Sequence, residues 1–86
     1  MPEISRFYGI VIEMWRNEDH RRPHFHAKYG RYAISMMIDD GSILGEFPQR
    51  KLKLLRKWWN LHRQELLDNW HLARMRQPPR YIEPLC

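Results

Sequence analysis

His24-Phe25-His26-Ala27-Lys28-Tyr29-Gly30-Arg31-Tyr32-Ala33-Ile34-Ser35-Met36-Met37-Ile38 is the stretch that decides the fold. It holds two alternating runs around one Gly-X pair. Side chains alternate between the two faces of a strand. His24, His26 and Lys28 therefore share one face of the first run, and Phe25, Ala27 and Tyr29 the other. In the second run Tyr32, Ile34, Met36 and Ile38 share a face. Gly30-Arg31 between them suits a two-residue II′ hairpin turn.

Working outward, Ser5 to Trp15 also alternates. Tyr8, Ile10, Ile12 and Met14 fall on one face, and Phe7, Gly9, Val11 and Glu13 on the other. The β-branched and aromatic content reads as one strand, covered on both sides for part of its length. Asn17 to Pro23 is a polar loop, closed by a proline that cannot donate into a ladder. Asp39-Asp40-Gly41-Ser42 is a turn signal. Ile43 and Leu44 can add a short fourth strand.

Pro48 fits the first turn of a helix, where its missing N–H costs nothing. From there to Gln77 the sequence has no Gly or Pro. Leu52, Leu55, Trp59, Leu66, Trp70 and Ala73 recur at helical spacing, and the stripe weakens at Asn60 to Arg63. One helix of ~29 residues would be ~43 Å long, beyond the reach of so small a sheet. Two helices, or one bent helix, are expected, with the change near Leu61–Arg63. Pro78-Pro79 stops the helical part. Trp58 lies off the stripe, and an exposed ring there would mark a protein interface.

The expected architecture is α+β: a small antiparallel sheet of three to four strands, then two helices or one bent helix packed on one face. Its 86 residues make one domain. The sheet covers 4–47, the helical part 48–77 and an extended tail 78–86, docked through Tyr81, Ile82 and Leu85. No apolar run approaches the ~20 residues that span a bilayer. The N-terminus lacks a signal-peptide layout. Cys86 is the only cysteine, so no intrachain disulfide forms. These features favour the cytoplasm.

The net charge of +5 is unevenly spread. Residues 1–47 hold six Lys/Arg against seven Asp/Glu, and residues 48–86 hold nine against three. Such asymmetry suggests an anionic partner, either nucleic acid or an acidic protein. On a helix Arg50, Lys53 and Lys57 stack at spacings of three and four. Such a row could contact phosphates without sequence preference, or form a solvated helix face.

Three readings of the histidine strand stay open. In the first, His24, His26 and Lys28 are the wet side of an ordinary half-buried strand. In the second, His20, His24 and His26 hold a metal ion, with Asp19 or Glu18 completing the site. In the third, His24 and His26 exchange protons in RNA cleavage by the 2′-hydroxyl, while Arg6, Lys28 and Arg31 hold the phosphate. That chemistry needs no cofactor. Pro2 could act as a secondary amine after removal of Met1, but nothing else in the sequence supports it. There is no phosphate-binding Gly-rich loop, nucleophile elbow or Cys/His dyad.

Three blocks carry a resemblance. They are Met1-Pro2-Glu3-Ile4-Ser5-Arg6-Phe7-Tyr8-Gly9-Ile10-Val11-Ile12, the Pro23-to-Gly30 block, and Leu61-His62-Arg63-Gln64-Glu65-Leu66-Leu67-Asp68-Asn69-Trp70-His71-Leu72-Ala73-Arg74. Nearly end to end, the chain resembles a family of small prokaryotic proteins known only as a domain of unknown function. Members look like one half of two-gene modules and are often labelled toxin–antitoxin components. The resemblance implies a bacterial or archaeal cytoplasmic protein with a small cognate protein partner. It carries no catalytic residues to transfer. The resulting expectation is a toxin-like component that binds RNA and, in the enzymatic reading, cleaves it. The alternatives are a non-enzymatic regulator binding a partner or nucleic acid, and a metal-binding protein.

Overall fold

A computed structural model describes residues 3–15 and 22–86. Five strands form one antiparallel sheet in the order β1-β2-β3-β4-β5: Glu3–Phe7, Ile10–Glu13, His24–Tyr29, Tyr32–Met37 and Ile43–Gly45. Two helices follow, α1 over Gln49–Leu61 and α2 over Arg63–Arg74. The α+β class is therefore as expected, and the strand count is five rather than three to four.

The extra strand comes from Ser5 to Trp15, which is a hairpin and not one strand. Tyr8 and Gly9 both take positive φ, 50° and 80°. Phe7 pairs with Ile10 across them. Positive φ at both central positions defines a type I′ turn, the geometry that matches strand twist. The usual signal is Asn-Gly or Asp-Gly, and Tyr-Gly hides it. A Cβ on Gly9 would sit 3.0 Å from the Tyr29 ring, so close packing also favours glycine there.

One face of the sheet carries Phe7, Ile10, Ile12, Phe25, Ala27, Ile34 and Met36, all buried. The helices cover this face. Burying such side chains is worth roughly 1.5–3 kcal/mol each. The Trp58 ring lies 5.2 Å from Phe7 and 5.9 Å from Phe25, centroid to centroid. Trp58 is 0 % exposed, which corrects its placement off the core stripe. Two adjacent tryptophans enter the core because α1 presents a wide arc to the sheet. Each satisfies its indole N–H on a backbone carbonyl, Trp58 on Glu83 at 2.9 Å and Trp59 on Ile38 at 2.8 Å.

The helical run breaks at His62, whose φ of −120° lies outside helical geometry. Its backbone N–H still reaches the Trp58 carbonyl, and Leu66 N–H donates to the His62 carbonyl, so the two helices stay in contact. α2 closes three residues before Gln77. Arg76 N–H donates to Ala73 O and Gln77 N–H to Leu72 O, with Arg76 at φ 58°. That is a Schellman closure with arginine where glycine is usual. The tail then returns to β1, where Ile82 N–H donates to Ile4 O at 2.7 Å. Asn69, buried in α2, clasps Arg80 with two hydrogen bonds of 2.8 Å.

Candidate functional site

Among the described residues the helices reach the second face of the sheet only at His24, which Trp70 of α2 borders, and register orders the side chains of this face in rows. Glu13, His26, Ser35 and Leu44 are successive partners across β2 to β5. Arg6, Val11, Lys28 and Ala33 form the neighbouring row. His24 faces Met37. The alternation expected for β3 therefore holds: His24, His26 and Lys28 share a face opposite Phe25 and Ala27.

The two imidazoles differ in setting. Their ring centroids are 5.1 Å apart and nearly perpendicular. His24 is only 3 % exposed and borders the Trp70 ring of α2 at 5.1 Å. Its Nδ1 lies 2.8 Å from the Arg22 carbonyl oxygen. A carbonyl only accepts, so neutral His24 carries its proton on Nδ1. His26 is half-buried. Trp15 stacks on it at 3.7 Å with 18° between planes, and its Nδ1 lies 3.3 Å from Ser35 Oγ. Trp15 is itself anchored by a hydrogen bond from Nε1 to Glu13 Oε1.

Two adjoining grooves run along this face. One of about 450 Å³ is lined by Trp15, His26, Lys28, Ala33, Ser35 and Leu44. The other, of about 380 Å³, is lined by Arg22, His24, Ser35, Met37 and Leu44. Ser35 and Leu44 border both. Nothing in the sequence marks Ser35, Trp15 and Leu44 as site residues. Ser35 was within reach, because a two-residue turn at Gly30-Arg31 sets it opposite His26. Glu13 and Trp15 were not, because the long β2–β3 connection sets their register.

Among the described residues Arg6, Lys28 and Arg22 each pair with a carboxylate. Arg6 pairs with Glu3 at 2.8 Å, and hydrogen bonding to Arg6 holds the Glu3 carboxyl below the usual carboxylate range. Lys28 lies 3.4 Å from Glu13. Arg22 bridges Asp39 at 2.6 Å and Asp40 at 3.3 Å. Arg31 sits at the β3–β4 turn with its guanidinium over the Tyr32 ring, 5.5 Å from the centroid.

The helix layer is different. Lys51 donates to the Tyr8 carbonyl, Arg56 donates to the Gly41 carbonyl, and Arg63 lies 4.4 Å over the Trp59 ring. Arg50, Lys53 and Lys57 are exposed on α1, and among the described residues no carboxylate pairs with them. They lie on the far side of the sheet from His26. The eight site residues proposed from sequence are thus divided: His24, His26, Arg6 and Lys28 on the open face, Arg31 at its end, and Arg50, Lys53 and Lys57 behind it.

Among the described residues no three His, Cys, Asp or Glu side chains cluster as a metal site. His20, and Asp19 or Glu18 as completing ligands in the metal reading, lie outside the described residues, as does Pro2. No helix among the described residues is long and apolar enough to cross a membrane.

A model for "Domain of unknown function (DUF4160)" matches residues 9–71, and the chain belongs to that family. The match takes in the sheet from the β1–β2 turn onward, α1 and most of α2. No match is found among curated proteins or among solved structures.

Proposed function

We propose that the chain is the toxin-like component of a prokaryotic two-protein module, and that it acts in the cytoplasm by binding RNA. The observation that carries this reading is the row Arg50, Lys53 and Lys57, exposed and without a carboxylate partner among the described residues. Three cations on one helix face attract a polyanion irrespective of its sequence. An RNA strand held there reaches the open face by passing over the hairpin end of the sheet.

On the open face the imidazoles take different parts. His26 borders a groove and can meet a phosphodiester, so it is the candidate proton-transfer group. His24, buried and fixed through Nδ1, positions its neighbour. Lys28 and Arg6 reach the phosphate only by loosening their carboxylate pairs, which keeps the unliganded face near neutrality.

Two measurements test the proposal. Wild-type protein should bind single-stranded RNA with an affinity that falls steeply with salt, and its expression alone should slow growth. Changing His26→Ala should remove growth inhibition while leaving the fold and the binding in place. Harmless wild-type protein would remove the toxin role.

A second reading rests on Leu44, 65 % exposed on β5, an edge strand of three residues beside both grooves. An exposed leucine on a charge-balanced sheet face suits a cognate protein covering it. In that reading the chain is a non-enzymatic regulator, and no RNA is turned over.

A further inference from the structure

The tip of the first hairpin holds a residue that its backbone disfavours. Tyr8 has φ of 50° in a type I′ turn. A bulky side chain in the left-handed region is an outlier, and Asn or Asp is the ordinary choice at that place. Burial does not compensate, because Tyr8 is 50 % exposed. Strain of this kind persists where the surroundings hold it and tends to mark functional positions.

The surroundings do hold it. Lys51, in the first turn of α1, donates from Nζ to the Tyr8 carbonyl at 3.1 Å. The same ammonium lies 5.0 Å over the Tyr29 ring. Gly9 packs against Tyr29 as well. The turn is thereby fastened to the start of α1, where Lys51 follows Arg50 directly in the chain. Arg50 is the first of the three exposed α1 cations that have no carboxylate partner among the described residues.

We propose that Tyr8 is a stacking platform for an unpaired base of single-stranded RNA, with Arg50 and its neighbours on α1 holding the adjoining phosphates. Base–aromatic stacking is tolerant of sequence and works beside a cationic track. RNA is favoured over a protein segment because the turn that carries Tyr8 is tied to α1, whose exposed Arg50, Lys53 and Lys57 have no carboxylate partners among the described residues. The inference rests on the RNA-binding reading above.

The test pairs thermal unfolding with binding to a single-stranded oligouridylate at low salt, followed by fluorescence anisotropy. Tyr8→Asn relieves the backbone strain, so its Tm should rise by a few degrees. It removes the ring, so RNA affinity should fall about fivefold or more. Tyr8→Phe keeps ring and strain, and should bind within about twofold of wild type. A Tyr8→Asn protein that binds as wild type does overturns the stacking role while the RNA reading stands. A lowered Tm for Tyr8→Asn shows the ring to be a packing element and also overturns it. Wild-type protein that binds no RNA overturns both.

Discussion

Phe25 and His26 are neighbours in the chain and belong to different proteins in effect. Phe25 points into a core closed by Trp58 and the helices, whereas His26 lies half-buried against Trp15 and Ser35 on the opposite face. The helix layer also carries the unbalanced charge, and the open face carries its charges in pairs. One layer of sheet thus separates the core and the exposed α1 cations from the half-buried His26 and its neighbours. A small core explains part of this: two short helices cover one face of the sheet and reach the other only at its His24 end.

The comparison breaks most readily at Phe25. Truncating it to Ala should cost about 3–5 kcal/mol of stability, because the ring is fully buried. His26→Ala should cost less, about 1–2 kcal/mol, since the ring is half-buried and what it loses includes the Trp15 stack, the His24 edge contact and the long hydrogen bond to Ser35. Chemical denaturation of the two variants checks the contrast. Equal losses would mean that the open face is structural.

Asn69→Ala comes next. It leaves Arg80 N–H and C=O without their partners, and should cost about 1–3 kcal/mol. Proteolysis should then cut near Arg80 before the sheet opens, showing that the tail is clasped to the helix layer.

Removing the α1 row by Arg50→Ala, Lys53→Ala and Lys57→Ala together should leave stability within about 0.5 kcal/mol per site. It should flatten the dependence of log affinity on log salt by about 2, since each phosphate contact to a single strand contributes roughly 0.7. An unchanged slope would place RNA contacts elsewhere.

The smallest effect concerns acid. A hydrogen bond from Ser42 N–H, with help from Arg22, holds the Asp40 carboxyl below its ordinary value of 3.8. A depressed folded-state pKa contributes stability above the unfolded value and loses it as pH falls through the folded one. The loss therefore begins near pH 4 and continues below it. Asp40 is fully exposed, so the change is slight. Comparing acid unfolding of wild type with Arg22→Ala should show a small shift in midpoint toward higher pH in the variant.

How much of this the sequence discloses depends on where register is set locally. Gly30-Arg31 makes β3 and β4 legible, and with them the shared face of His24, His26 and Lys28. The first hairpin is not legible, because Tyr8-Gly9 lacks the usual turn residues and the residues around it keep alternating. Trp58 escapes a one-face stripe because two rings from adjacent positions both reach the sheet. The break at His62 is visible as a gap in the apolar pattern. For the site, residue types could be listed from the sequence, but charge pairing could not. Arg6 and Lys28 look like free cations until Glu3 and Glu13 are placed beside them.

In the proposed function RNA meets the open face at His26 while α1 supplies the attraction. Amide chemical-shift mapping of isotope-labelled protein titrated with single-stranded RNA tests it most directly. The account predicts shifts along Trp15, His26, Lys28 and Ser35, joined by those of Arg50, Lys53 and Lys57. Shifts confined to α1, or none at all, would contradict it.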